Sequence, residues 1–301
     1  MEQSAMSFTV VIATHNRPQL LKRAVESALK QEIEDLEIIV VDDASDPSVE
    51  PVVAGYSGVV YLRQERNQGP GPARNRGIAH ASKPWVVILD DDDELLPGAL
   101  SVIEDHLESF EDLHKFPVFQ FCHGNGRLDE PFRLVRFEDY QTGAISGEFL
   151  PVIARELFQE LGYAYPDVRI GAEHLLWWEI AYRFGIPTWA TRVCYLHDDA
   201  PQRLTSPQSQ IARAREYAEM QEMTLQRFGY LLKDHFPAQY RIRKLGAATY
   251  WMLAGDRRKA REHLNAPDVR NSAAARALWL VSWMPQRIIR LLFTAYRGVS
   301  K

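Results

Sequence analysis

Over its first hundred positions the chain alternates between short unbroken apolar runs and stretches with apolar residues three and four apart. Residues 8–13 form a short β-branched run, and 18–30 carries Leu20, Leu21, Ala24, Val25, Ala28 and Leu29 at helical spacing behind Pro18, a residue suited to a first turn. Apolar runs at 37–41, 59–63 and 85–89 read as strands, and 72–81 reads as a helix. This alternation predicts a doubly wound α/β sheet, in which ligands bind beyond the carboxyl ends of the strands.

Polar clusters fall at those ends. Thr14-His15-Asn16 follows the first strand, Asp42-Asp43 the second, and Asp90-Asp91-Asp92-Asp93 the fourth. Adjacent like charges repel, so four successive carboxylates need a cation, a ligand or solvent to compensate them. Oxygen-only ligands favour a hard ion, Mg²⁺ or Mn²⁺. The plainer alternative is a solvated acidic turn ahead of a helix start at 94–100, with Pro97 in its first turn.

At 301 residues, 46% hydrophobic and 25% charged, the chain can bury a sizeable globular core. Cys122 and Cys194 supply no disulfide framework, and 1–6 lacks the basic and apolar regions of a signal peptide, so a cytoplasmic setting is expected. No apolar run approaches the roughly 18 to 20 residues that span a bilayer. The net charge of −5 is uneven: 205–301 holds 17 Lys/Arg against 7 Asp/Glu, a balance of +10, which leaves −15 for 1–204. The two parts are expected to meet different partners, neither of them nucleic acid.

The segments Val10-Val11-Ile12-Ala13-Thr14-His15-Asn16-Arg17-Pro18, Ile38-Ile39-Val40-Val41-Asp42-Asp43-Ala44-Ser45, Asn67-Gln68-Gly69 with Ala73-Arg74-Asn75-Arg76-Gly77, and Leu89-Asp90-Asp91-Asp92-Asp93 together resemble the family 2 inverting glycosyltransferases of the GT-A fold. Arg169 to Trp177 resembles the acceptor-side motif of that family more loosely, so the resemblance covers 8 to about 205. It implies a GT-A domain over 1–204, a Rossmann-like mixed sheet flanked by helices, with a nucleotide-sugar half at about 8–100 and an acceptor half at about 101–204. A helical extension would follow at 205–301.

The resemblance also implies roles. The donor would be a nucleotide diphosphate sugar, in particular a UDP-sugar. Ala13, Thr14 and His15 would wall the base, although the family commonly has Pro-Thr-Tyr there. Asp43 would accept the base N–H, and Arg74 would lie near the nucleotide, where a guanidinium suits phosphate or carbonyl oxygens. Register on Leu96-Pro97 sets Asp91 at the ribose or a metal-bound water and Asp92 on the Mn²⁺ or Mg²⁺ ion. Asp90 and Asp93 would support them, one on backbone or an arginine and the other on the sugar. Inversion needs a base opposite the leaving group. Glu173 falls on the acceptor-side carboxylate and is the candidate, with Asp167 as runner-up. His197 would be a further metal ligand and Arg203 would reach the diphosphate.

The aromatics of 116–165, among them Phe119, Phe121, Phe132, Phe137, Tyr140 and Phe149, suit sugar stacking or strand core, and alternation favours core. Nothing there identifies the acceptor, for which the resemblance implies a glycan or a lipid-linked glycan. Beyond 205 the chain turns helical and basic. Residues 250–264 read as a helical hairpin, and 273–301, broken by Pro285 and free of acidic residues, reads as an interfacial helix pair on anionic lipid at the inner face of the cytoplasmic membrane. The alternative is a terminal helix packed on its own domain or on a second copy. Two other classes stay open for the whole chain: a nucleotidyltransferase, which would need a glycine-rich, lysine-bearing phosphate loop absent from 14–18, and a non-catalytic membrane scaffold, which would tolerate a damaged acidic site.

Overall fold

The computed structural model describes residues 6–197, 199 and 206–299, and the chain divides into two compact units, Met1–Ala200 and Pro201–Lys301. The first half of unit 1 runs β1 (Phe8–Thr14), α1 (Pro18–Leu29), β2 (Leu36–Asp42), α2 (Glu50–Val53), β3 (Val59–Arg63), α3 (Pro70–His80), β4 (Trp85–Asp90), β5 (Asp93–Leu95) and α4 (Ala99–Glu108). The second half continues through β6 (Val118–Cys122), β7 (Arg127–Leu128), β8 (Phe132–Val135), α5 (Phe137–Thr142), β9 (Ile145–Ser146), β10 (Phe149–Ala154), α6 (Arg155–Glu160), α7 (His174–Arg183), β11 (Ile186–Arg192) and β12 (Cys194–Leu196).

Eight strands form one mixed sheet in the order β3-β2-β1-β4-β10-β6-β11-β8. β3, β2, β1 and β4 are parallel, and β10 runs antiparallel to both β4 and β6. β1 is apolar on both faces because both faces are covered. Val10 and Ile12 meet Leu21 and Val25 of α1 and Leu100 of α4 on one side, while Val11 meets Ala73 and Ile78 of α3 on the other. The second layer is tight: a Cβ on Gly77 would come within 2.3 Å of Val11 Cγ1. The chain moves outward from β1 to β3 and returns to pair β4 against β1, so strand order reverses between β1 and β4 and opens a crevice at their carboxyl ends. The register sets Thr14 opposite Asp42 and Ala13 opposite Asp90 on that edge.

The helix expected at 94–100 is not there. Asp93–Leu95 is instead a short strand pairing antiparallel with β12, and α4 begins at Ala99 after Gly98 turns the chain in the left-handed region. Extended backbone lets Asp93 and Glu94 project from opposite sides of β5, which a helical turn would not. Phe119 and Phe121 are buried in the core, with Phe121 stacked on Trp189 at 5.0 Å, as their alternation suggested.

Unit 2 is helical: α8 (Pro207–Ala212), α9 (Ala214–His235), α10 (Pro237–Leu253), α11 (Arg257–Leu264), α12 (Ala273–Val281) and α13 (Gln286–Val299). The expected hairpin is α10 and α11, with Asp256 capping α11 by accepting from Lys259 N at 3.0 Å. Trp251, Met252 and Ala260 form its core together with Ile289 and Phe293 of α13. The tail is therefore packed along one side through Ile289 and Phe293.

Candidate active site

The aspartate run leaves β4 at the crevice, and each of its carboxylates has a different environment. Asp91 is buried, accepts from Thr14 Oγ1 at 2.7 Å and from Arg17 at 2.9 Å, and lies beside Asp92. Burial pushes its carboxyl up to about 6; Arg17 and the Thr14 bond pull it down, and the Asp92 charge adds to the rise. Asp92 is half-buried, with its carboxylate 3.5 Å from Arg17 and its carbonyl accepting from Arg23 at 3.0 Å. Arg23 also binds Asp199 in a two-pronged pair at 2.8 and 3.1 Å.

Asp90 and Glu173 are joined by one residue. Arg74, buried on α3, donates to Asp90 Oδ1 and to Glu173 Oε1, both at 2.5 Å, and its guanidinium lies 5.2 Å from the Tyr165 ring centroid. Burial opposes its charge, but Asp90 and Glu173 outweigh that and hold the guanidinium well above its ordinary range. Glu173 immediately precedes α7, so the start of that helix carries a carboxylate to the crevice. Arg74, expected at the nucleotide, is thus engaged with two carboxylates. Of the supporting pair, Asp90 takes the arginine, and Asp93 binds the buried His123, Oδ2 to Nε2 at 2.9 Å. Burial raises the Asp93 carboxyl; it would lower His123, but the bond to Asp93 outweighs it and the imidazole is raised.

On the neighbouring strand Asp42 is consumed by structure, accepting from Ser45 N, Tyr61 and Arg63. Asp43 accepts from Gln64 and Gln68 N on one oxygen and from Gly69 N on the other, each at 2.7 Å. A carboxylate offers about four acceptor positions, so one remains for a ligand N–H. His15 Nδ1 lies 2.7 Å from the Asp43 carbonyl oxygen, which fixes its ring beside Asp43. Asn16 and Ala44, on the two loops that meet here, both take φ of 57°. Left-handed backbone at non-glycine residues stores strain of the kind that gathers at functional sites.

Asp90, Asp92 and Asp93 can each aim a carboxylate oxygen so that all lie within 4.8 Å of one another, and Asp93 Oδ1 is buried with no hydrogen-bond partner. Hard oxygen donors converging with one acceptor unsatisfied fit Mg²⁺ or Mn²⁺. His197, expected as a metal ligand, binds Glu94 at 3.0 Å and is not one of the residues that converge with Asp90, Asp92 and Asp93 among the described residues. Asp167 lines a cleft of about 230 Å³ with Arg66, Arg169 and Gln68, the last of which also donates to Asp43. Arg203 lies outside the described residues.

Sequence reasoning passed over His123 and Arg17. A signal existed for His123. It directly follows β6, and since β10 runs antiparallel to both β4 and β6, the carboxyl ends of β4 and β6 lie on one edge.

The family model for glycosyl transferase family 2 matches residues 9–161. A GalNAc(5)-diNAcBac-PP-undecaprenol beta-1,3-glucosyltransferase of Campylobacter jejuni is 33% identical over 184 residues, 56% of this chain and 58% of that protein. The succinoglycan biosynthesis protein ExoO of Rhizobium meliloti is 42% identical over 94 residues, 31% of this chain and 27% of its own length. The chain thus spans less than two thirds of either relative. Among solved structures, S. aureus TarS 1-349 in complex with UDP-GlcNAc aligns at TM-score 0.57 and 17% identity, covering 97% of this chain and 92% of that one. The mannosyltransferase PcManGT of Pyrobaculum calidifontis, in complex with GDP-Man and Mn²⁺, aligns at TM-score 0.50 and 20% identity over 99% of this chain and 88% of its own. Both likenesses concern the fold.

Proposed function

Because the chain belongs to glycosyl transferase family 2, we propose that it is a metal-dependent inverting glycosyltransferase, moving a sugar from a nucleoside diphosphate sugar, a UDP-sugar in the first instance, to a hydroxyl of a lipid-linked glycan. The observation that carries this reading is the bridge through Arg74, which ties Glu173 and Asp90 to one guanidinium and so brings a candidate base to the metal-capable carboxylates.

In this reading the open acceptor position of Asp43 takes the N–H of the base, His15 flanks the ring, and Asp91 faces the ribose. Asp92, with Asp90 and Asp93, would hold a Mn²⁺ or Mg²⁺ ion, which when bound would supply charge neutralisation for the departing nucleoside diphosphate. Arg17, shared between Asp91 and Asp92, offsets the repulsion between the two carboxylates. The acceptor hydroxyl attacks the anomeric carbon as the bond to the diphosphate breaks, Glu173 takes the hydroxyl proton, and the anomeric configuration inverts.

The acceptor class rests on the C. jejuni relative, whose name carries an undecaprenol-linked glycan. Work on such an acceptor would bring the protein to the inner face of the cytoplasmic membrane. Family membership and an undamaged aspartate run weigh against both a nucleotidyltransferase and a non-catalytic scaffold. The test is hydrolysis and transfer across a panel of nucleotide sugars with Mn²⁺, Mg²⁺ or chelator. Turnover of one donor only with metal supports the reading; no donor bound or consumed under any condition overturns it.

A further inference from the structure

The proposed reaction uses nothing in unit 2, yet most of the exposed large hydrophobic side chains among the described residues belong to unit 2. On α12 and the turn after it, Trp279, Leu280 and Trp283 are exposed; on α13, Ile288, Leu291, Leu292 and Tyr296 are exposed, Leu291 to 68% and Tyr296 to 70%. These residues are not scattered. At 100° per residue, Leu291, Ile288, Leu292 and Tyr296 make one stripe roughly 140° wide along α13. Ile289 and Phe293 lie beside that stripe and are buried against Trp251 and Met252. Arg287 borders the stripe about 40° from Leu291, whereas Arg290 and Arg297 lie on the far side. On α12, Arg276 sits with Trp279, Leu280 and Trp283 at spacings of three, four and seven.

The helix therefore has three faces: one packed on its own unit, one apolar and open, one basic. A soluble surface does not ordinarily keep an apolar stripe of this kind uncovered. Its charge indicates what covers it. After Asp268 the chain has six Lys/Arg and no Asp/Glu, and arginine stems can lie along an apolar surface while their heads reach phosphate. Tryptophan suits the headgroup boundary, and Trp283 is already stacked under Arg261, whose guanidinium carbon is 3.6 Å from the ring centroid. No helix among the described residues is long and apolar enough to cross a membrane, so a surface-lying mode is the one these dimensions allow.

We propose that the exposed face of α12 and α13 is a docking surface for an anionic lipid leaflet, with the helices lying in the headgroup plane. The inference goes beyond the proposed reaction and does not depend on its donor chemistry. Because Ile289 and Phe293 belong to the core of unit 2, deleting the tail would damage that core, and surface substitutions in the full chain are the proper probe.

The experiment is co-sedimentation of the full-length protein with phosphatidylglycerol–phosphatidylcholine vesicles and with pure phosphatidylcholine vesicles, at low and high salt. Wild type is expected to pellet with the anionic vesicles and be released by salt. Leu291→Glu/Leu292→Glu is expected to cut partitioning by roughly tenfold or more, since it removes apolar contact and adds repulsion. Arg276→Glu/Arg287→Glu serves as a second variant that leaves the apolar stripe intact, and is expected to lose the preference for anionic over neutral vesicles. Thermal unfolding and protection by nucleotide sugar, read on every variant, should match wild type. Wild type remaining in the supernatant at low salt overturns the proposal, as does undiminished binding by both variants. A concentration-dependent dimer that Leu291→Glu/Leu292→Glu dissolves, without vesicle binding, assigns the face to a second copy and equally overturns it.

Discussion

Replacing Asp91 by Asn should stabilise the metal-free protein while impairing turnover. In the folded state the Asp91 carboxyl is pushed up to about 6 from an ordinary 3.8, mainly by burial. A rise of about 2 pK units at roughly 1.4 kcal/mol each means that ionised Asp91 withholds about 3 kcal/mol from the native state. Because the folded pKa is the higher one, that stability is fully present below about pH 4, declines between, and is lost once the pH passes about 6. Asn keeps the shape and can still accept from Thr14, and Arg17 keeps Asp92 at 3.5 Å. Allowing for the weakened Arg17 pair, a net gain of about 1 to 2 kcal/mol is expected at pH 7.5, a rise in Tm of about 3 to 6 °C for a unit of this size. The assay is thermal unfolding of both proteins in chelator at pH 5 and pH 7.5. Comparing the two proteins at each pH removes the other titrating groups, and the advantage of Asp91→Asn should be larger at pH 7.5. A variant less stable than wild type at pH 7.5, by the same margin as at pH 5, would show that Asp91 is an ordinary satisfied carboxylate.

Two further outcomes follow from the geometry. Glu173→Gln keeps shape and a bond to Arg74 but cannot take a proton, so turnover should fall by roughly 10²-fold or more with donor affinity retained; an unchanged rate, with loss on Asp167→Asn instead, would move the base to Asp167. Gly69→Ala sets a Cβ 2.6 Å from Arg169 Cα at φ of +97°, so it should displace the loop that donates to Asp43, costing about 1 to 3 kcal/mol and weakening donor binding; wild-type Tm and affinity would sink this account of Asp43.

The nucleotide half of the fold was legible because its information is local. Each parallel strand is a continuous apolar run such as Val10-Val11-Ile12, each helix follows it directly, and the polar clusters mark where the run stops. The second half was not, because its strands pair out of order: β10 lies between β4 and β6, and only the tertiary register shows that β4 and β6 end together. That is why His123, which has no metal-ligand spacing in the sequence, carries no assigned role there although it backs Asp93. The aspartate run was visible as a cluster, but the division of labour within it depends on contacts 16 to 99 residues away, from Arg74 to Asp90 and to Glu173. β5 was misjudged for a similar reason. Glu94 to Leu100 has the composition of a helix start, and pairing with Cys194–Leu196 overrides it. The tail was half-read: its composition announced an amphipathic pair, but not that Ile289 and Phe293 anchor it to unit 2.

The central claim is that the carboxylates beyond β4 hold a divalent cation for a nucleoside diphosphate sugar. The most direct measurement is calorimetric titration of UDP-sugar into the full-length protein with Mn²⁺ and with chelator, on wild type and Asp92→Asn. Binding that requires Mn²⁺ in wild type and is lost or weakened by roughly tenfold or more in Asp92→Asn is the predicted result. Binding of equal strength in chelator, unchanged by Asp92→Asn, would contradict it.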